Sequence, residues 1–344
     1  MSVKNLILSK SNQYTYYKDQ YDKLKKENEE LEDKIKKSKD NNYEKGISAI
    51  IPSYKGEKHI KTLLDSLEKQ TLNPKLYELI FIVNGEMDST MDIIKEFISK
   101  NPEKEIILSY TSKSGVSNAR NVGLRLSKKE YTTFIDDDDF ISPNFLEKML
   151  EHSKPDRVVM SNFIDIDEDT NEEVESYLVP FSVTDHGTID GAPIKFFALS
   201  AITQAKSIPT YATKSTEFNP DLPSGVDIAY YGHLYPKFDF EFYFIDKKEE
   251  VIYYRLRRSE SVSRQEMSYQ FNVIDRLKVI DDLNDAYNKT NDEKYKKFIE
   301  KGIKGQSGFI KRYLEKNSDD KDKVMKEIEK YNFTHFPYHL LENI

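Results

Sequence analysis

The sequence predicts an α/β protein with a mainly parallel sheet covered by helices on both faces. Two observations carry that expectation. From Gly46 onward, short apolar runs alternate with amphipathic segments at βα spacing. One of those runs, YTTFIDDDDF at 131–140, ends abruptly in four consecutive aspartates. Ligands collect at the carboxyl ends of strands in an open α/β sheet. The chain of 344 residues is long enough for one large domain with an appendage, or for two domains.

The elements follow in order. Residues 1–45 form a lead segment in which Tyr14, Tyr17, Tyr21, Leu24, Asn28, Leu31 and Ile35 recur at spacings of three and four, a heptad seam. In a parallel homodimer Glu27 would face Glu32 and Lys34 would face Lys39. The seam over 14–38 is therefore expected either to self-associate or to pack on the chain's own body. Asp40, Asn41, Asn42 and Gly46 mark the break before the main domain.

Ile47 to Pro52 reads as the first strand, and His59 to Gln70 as a helix with Ile60, Leu63, Leu64 and Leu67 on one face. Tyr77 to Val83 is the second strand, Met91 to Ser99 a helix, Glu105 to Tyr110 the third strand and Ser117 to Leu126 a helix. Tyr131 to Ile135 is the fourth strand, Arg157 to Ile164 another, and Asp165 to Glu175 an acidic loop. Residues 192–264 are mixed, and 265–344 are Lys/Glu-rich with helical apolar spacing at Phe271, Ile274, Leu277 and Ile280.

Composition excludes several functions. The formal net charge of −8 shows no basic excess for duplex binding, so no nucleic-acid partner is expected. The absence of cysteine excludes disulfides, thiolate metal sites and cysteine nucleophiles. No run reaches the length of a membrane span, and the N-terminus is too weakly apolar for a signal peptide. A cytoplasmic protein is expected, peripheral at the inner face of the membrane if membrane-associated at all. Glycine is scarce, at 12 residues, and no dinucleotide or P-loop fingerprint appears.

The chemistry concentrates at the aspartates. Carboxylates crowded at a strand end repel one another unless a cation joins them. Oxygen ligands suit Mn²⁺ or Mg²⁺, and Mg²⁺ sites combine carboxylates with substrate phosphates. Alternation along an extended segment turns Asp137 away from its neighbours. Pro52 ends the first strand, and Tyr54 suits stacking on a flat ring. Asn84 follows the second strand with an amide that matches a mixed donor–acceptor edge such as that of uracil. Gly115 permits close backbone approach. Arg120 is placed to reach a base or diphosphate, or to pair with the aspartates.

IPSYKGE at 51–57, QTLNP at 70–74, SGVSNARNVGL at 114–124 and FIDDDDF at 134–140, in this order, resemble the nucleotide-binding half of a family 2 glycosyltransferase of the GT-A fold, of the bacterial envelope or capsule polysaccharide type. The resemblance is good over 46–150, looser over 151–264 and absent elsewhere. It implies a GT-A domain at 46–264 followed by a helical region at 265–344. It implies an inverting, metal-dependent transfer from a nucleotide sugar, most simply a UDP-sugar, to a hydroxyl of a glycan, envelope polymer or glycoprotein. The family's D-x-D pattern falls on Asp136, which would contact the nucleoside, and Asp138, the metal ligand, with Asp139 beside it. At Asn84 the family more often has aspartate. Asp227, in PSGVD, takes the place of the family's base, with valine where an acid often precedes it. Its position at a helix start favours the ionised form. Asp239 and Glu241 are rival bases, although the alternation in KFDFEFYF suggests structure. YYRLRRSESVSR at 253–264 resembles the family's loop over the diphosphate, which would use Arg257, Arg258, Ser261, Ser263 and Arg264. His186 and His233 lack metal spacing and are expected to be structural. A sugar nucleotidyltransferase and a scaffold with a degenerate transferase domain are the rival readings.

Overall fold

The computed structural model describes residues 43–176, 178–179, 185–257 and 266–342. The heptad seam at 14–38 lies outside the described residues. Residues Tyr43–Ile344 make one compact unit.

The first strand, β1 (Glu44–Ser53), begins three residues before the apolar run that marks it, and Ile47, Ala49, Ile50 and Ile51 are fully buried. β2 (Tyr77–Asn84) is buried along its whole length, as a strand covered on both faces must be. β3 (Glu105–Thr111) runs parallel beside it at the sheet edge. β4 (Lys129–Phe134) lies on the other side of β1, also parallel, with Ile50 opposite Ile80 on one side and Phe134 on the other. The order β3-β2-β1-β4 therefore reverses direction between β1 and β4. Such a switch point opens a crevice at the carboxyl ends of the two strands.

Helices α1 (Ile60–Glu68), α2 (Thr90–Lys100) and α3 (Val116–Leu126) connect these strands, each within three residues of its expected bounds. α3 lies close on β1 because Gly123 has no Cβ to strike Ile50.

Beyond β4 the sheet is no longer all parallel. β10 (Lys206–Pro209) runs antiparallel to both β4 and β6 (Arg157–Met160), and β11 (Glu241–Phe244) follows parallel to β6, with β9 (Gly187–Thr188) at the far edge. The single strand expected over Arg157 to Ile164 is two strands. The Ser161 N–H bonds to Ala205 O at 3.0 Å, and the chain then leaves the large sheet. It continues as β7 (Asn162–Asp167) in a second sheet of order β5-β12-β7-β8, made with β5 (Phe140–Ile141), β8 (Glu173–Val174) and β12 (Ile252–Arg257). The expected acidic loop is largely the β7–β8 hairpin. α4 (Phe145–His152) follows β5.

The aspartate run joins β4 of the large sheet to β5 of the small one. α5 (Val226–Leu234), α6 (Asp275–Lys289), α7 (Glu293–Lys316) and α8 (Lys321–Ile328) complete the described unit. α6 and α7 pack against α5 through fully buried Leu283, Phe298, Ile299 and Ile303, with Gly302 fitted closely on Ile228.

Candidate active site

The fourth strand continues one residue past its end, with Ile135 N–H bonded to Ile50 O at 3.0 Å. The chain then turns, Asp139 N–H reaching Asp136 O at 3.2 Å. This turn brings one carboxylate oxygen from each of Asp136, Asp138 and Asp139 within 4.8 Å of one another. Asp137 is not in this cluster and accepts a hydrogen bond from Ser53 Oγ; the backbone here is a turn rather than the extended segment alternation assumes, so Asp139 joins Asp136 and Asp138. That bond anchors the loop that carries Tyr54.

Asp139 is buried. Its Oδ2 accepts from the Tyr253 hydroxyl at 2.7 Å and its Oδ1 from Leu256 N–H at 2.9 Å. Burial pushes its carboxyl well above the usual range, the Asp138 and Asp136 charges push the same way, and the two hydrogen bonds oppose them. A set of clustered oxygen donors with surplus negative charge fits a hard divalent cation. Among the described residues, these three are the only cluster with metal-ligand geometry.

Arg120 is buried, and of the alternatives open to it the structure shows the pairing with carboxylates. Its Nη2 donates to Asp136 Oδ1 at 3.1 Å and its Nη1 to Asp227 Oδ1 at 2.6 Å. The guanidinium also lies over the rings of Phe134 and Phe218, at 5.9 Å and 5.4 Å. Burial acts to lower its pKa, but the Asp227 and Asp136 charges outweigh burial and raise it. The described geometry therefore makes Arg120 a clamp between carboxylates, with both of its terminal nitrogens engaged.

Asp227 sits in the first turn of α5, after Gly225, whose φ of +64° opens the helix in the left-handed region. Its second oxygen, Oδ2, accepts from Thr203 N–H at 3.2 Å and from Thr203 Oγ1 at 3.3 Å. The next residue, Gln204, donates through Nε2 to Asp136 Oδ2. The two carboxylates are thus joined twice, by Arg120 and by the segment at 203–204. That segment is held by Lys206, whose buried Nζ donates to Leu199 O at 2.6 Å and to Ile202 O and lies 4.6 Å from the Tyr231 ring centre. Burial lowers the Lys206 amine to about 7, against the opposing pull of Asp227.

Across the crevice, Pro52 is buried in β1 and Tyr54 is half exposed beyond its end. Tyr54 borders Gly85 so closely that a Cβ there would lie 2.9 Å from the tyrosine ring. Asn84 holds its expected place, but its amide is engaged by backbone. Nδ2 donates to Ser53 O at 2.8 Å, and Oδ1 accepts from Gly115 N–H at 3.0 Å. Its donor and acceptor tie the loops after β1 and β3 together, so a base edge would find a rigid frame there. Gln70 of QTLNP similarly ties α1 to the segment after β5, donating to Ser142 O at 2.9 Å and accepting from Leu146 N–H at 3.0 Å.

The rival bases are accounted for. Asp239 is fully exposed, with Lys294 3.9 Å away. Glu241 pairs with Arg157 Nε at 2.6 Å and accepts from Thr188 Oγ1, a structural arrangement. His233 pairs with Asp282 at 2.9 Å, and His186 stands 3.6 Å from Asp246. Arg257 ends β12, 4.0 Å from Asp165. Arg258, Ser261, Ser263 and Arg264 lie outside the described residues.

Sequence reasoning missed Thr203, Gln204, Lys206 and the role of Tyr253. Only Tyr253 stood in a segment already singled out. The others sit in a region without a strong local pattern.

Comparison with known proteins agrees with this fold. The model of glycosyl transferase family 2 matches residues 48–210. The poly(ribitol-phosphate) beta-glucosyltransferase of Bacillus spizizenii is 36% identical over 109 residues, which are 31% of this chain and 17% of that protein. An uncharacterized glycosyltransferase of Haemophilus influenzae is 34% identical over 117 residues, 34% of this chain and 45% of that protein. The chain thus spans less than half the length of these relatives. Among solved structures, S. aureus TarS 1-349 in complex with UDP-GlcNAc is similar in fold, with a TM-score of 0.60 at 19% identity over 81% of this chain and 76% of that one. The β3-β2-β1-β4 order of strands and the crevice at its switch point are built from residues 48–210, the stretch that matches the model of glycosyl transferase family 2.

Proposed function

We propose that this protein is an inverting, metal-dependent glycosyltransferase that moves a sugar from a UDP-sugar to a hydroxyl of a glycan or envelope polymer at the cytoplasmic face of the membrane. The observation that carries this reading is the buried Arg120 clamp. It sets Asp227 and Asp136 on either side of one guanidinium, beside the carboxylate cluster and at the crevice between β1 and β4.

Asp227 is the general base in this reading. Arg120 and Thr203 fix its rotamer, and a carboxylate within hydrogen-bond reach of an acceptor hydroxyl takes its proton. The acceptor oxygen then bonds to the anomeric carbon as the bond from that carbon to the diphosphate oxygen breaks. Asp138 and Asp139, with Asp136 beside them, would hold Mn²⁺ or Mg²⁺, which when bound supplies positive charge to the departing diphosphate. Tyr54 would stack on the base, while Pro52 and Asn84 frame its pocket. Arg258, Ser261 and Ser263 would meet the diphosphate. Two relatives support the donor and acceptor classes. S. aureus TarS has been solved with UDP-GlcNAc, and the B. spizizenii relative is named for poly(ribitol-phosphate).

A panel of nucleotide sugars screened by thermal shift, with Mn²⁺ and after chelation, tests the donor. Bound donor stabilises the native state by mass action. Donor hydrolysis is measured on the same panel. Metal-independent stabilisation by every nucleotide sugar, without hydrolysis or transfer, would overturn the reading.

A further inference from the structure

Among the described residues, the arginines have carboxylate partners, with two exceptions. Arg120, Arg125, Arg157, Arg255 and Arg257 each lie within 4.0 Å of an Asp or Glu oxygen. Among the described residues, Arg276 and Arg312 have no carboxylate this close, and both lie on the same ring. The Cζ of Arg276 is 3.9 Å from the centre of Phe309 and that of Arg312 is 4.4 Å from it.

Arg276, in the first turn of α6, is only 4% exposed. Phe271 covers it at 4.2 Å. Its Nη1 donates to Gln306 Oε1 at 3.1 Å, and its Nε, though buried, has no partner. A buried cation without a counter-ion is costly, and a second unpaired cation nearby adds to the cost. Burial lowers the guanidinium to about 10, Asp275 opposes this, and Arg312 adds to it.

The place of this pair is informative. Gln306 Oε1 lies 3.5 Å from where a Cβ of Gly225 would stand. Gly225 opens the helix that carries Asp227. The hydroxyl of the preceding residue, Ser224, is also buried without a partner. Arg276 therefore reaches the helix start that delivers the proposed base through Gln306, the unpaired Ser224 hydroxyl lies at that helix start, and Arg312 meets Arg276 at the shared Phe309 ring.

We propose that Arg276 and Arg312, with Ser224, bind a phosphodiester group of the acceptor and so hold its hydroxyl near Asp227. This rests on the transferase reading above. Guanidinium forks match phosphate oxygens. A carboxylate sets its two oxygens in one plane with one carbon, enough for one fork, whereas a tetrahedral phosphodiester turns its two non-bridging oxygens outward so that separate donors, two forks and a hydroxyl, can approach them from different sides.

The test is calorimetric titration of glycerophosphoglycerol, a simple phosphodiester, into the full chain saturated with UDP and Mn²⁺. Wild type should bind. Arg312→Gln, a change at an exposed position, should weaken binding about tenfold, the effect of losing one charged hydrogen-bonded contact. Arg276→Lys, which keeps the charge and loses the fork, should weaken it comparably, and Arg125→Gln should not. Equal affinity in wild type and both site variants would mean an adventitious ion only, and absence of binding in wild type would also overturn the site. Binding to the free chain that UDP abolishes would assign the anion to the donor's own phosphates. Glucuronate binding with the same variant pattern would replace phosphodiester by carboxylate. Donor hydrolysis separates the two readings. Hydrolysis without phosphodiester binding overturns this site alone, and binding without hydrolysis or transfer overturns the transferase reading.

Discussion

Asp136 and Asp227 share one buried arginine: Arg120 donates to the first at 3.1 Å and to the second at 2.6 Å. Arg120→Met would leave two partly buried carboxylates without their cation. Removing one partner of a buried ion pair costs about 3–5 kcal/mol. Urea denaturation should show a loss of that order, and transfer should fall with it. A variant of unchanged stability would show that the clamp is not holding the two carboxylates.

Asp227→Asn keeps the shape of the side chain and removes the proton acceptor. Turnover should fall roughly a hundredfold or more, with UDP affinity changed less than about threefold. Asp239→Asn, at an exposed position, should be nearly silent. A kcat close to wild type in the Asp227 variant would move the base elsewhere.

The four aspartates should separate in mutagenesis. Asp138→Ala should abolish Mn²⁺-dependent donor binding. Asp137→Ala should leave metal dependence in place and raise KM instead, because the Asp137 bond to Ser53 anchors the loop bearing Tyr54. Equal losses of metal-dependent binding at both positions would contradict the division of the run.

Lys206 makes stability depend on pH. Its folded pKa is lowered to about 7 from the usual lysine value of 10.5. Between those values the unfolded chain holds a proton that the folded chain has released, so stability rises with pH across that window. The penalty is full below pH 7 and absent above the unfolded value. Lys206→Met should remove this rise, seen as a smaller gain in urea midpoint between pH 7 and pH 9.5. Identical gains in the two proteins would show that Lys206 is not the group responsible.

The lead segment offers a separate check. If the nucleotide pocket is built wholly after Gly46, deleting residues 1–42 should leave UDP affinity in Mn²⁺ within about threefold. Light scattering on the two proteins reports any self-association through 14–38. A folded truncated protein that no longer binds UDP would place the segment in the active site.

The sequence by itself determined the β1–α3 half of the fold and the place of the acidic cluster. Buried strands such as β2 are continuous apolar runs, and helices such as α1 carry their apolar face at a fixed period, so both are visible in a local window. Alternation separated Asp137 from Asp136 and Asp138 but would have put Asp139 with it; the turn after Ile135, which brings Asp139 into the cluster, was not legible in the sequence. Only the tertiary structure decided what Arg120 and Asn84 do. Arg120 meets Asp227 across 107 positions of the chain, and Asn84 meets Gly115 across 31. It also decided that Arg157 to Ile164 divides between two sheets, where Ala205 captures the Ser161 N–H. Thr203, Gln204 and Lys206 gained their roles in the same way. Contacts between side chains distant along the chain leave no periodic trace in either partner; they exist only once the sheet order brings β4, β10 and the start of α5 together.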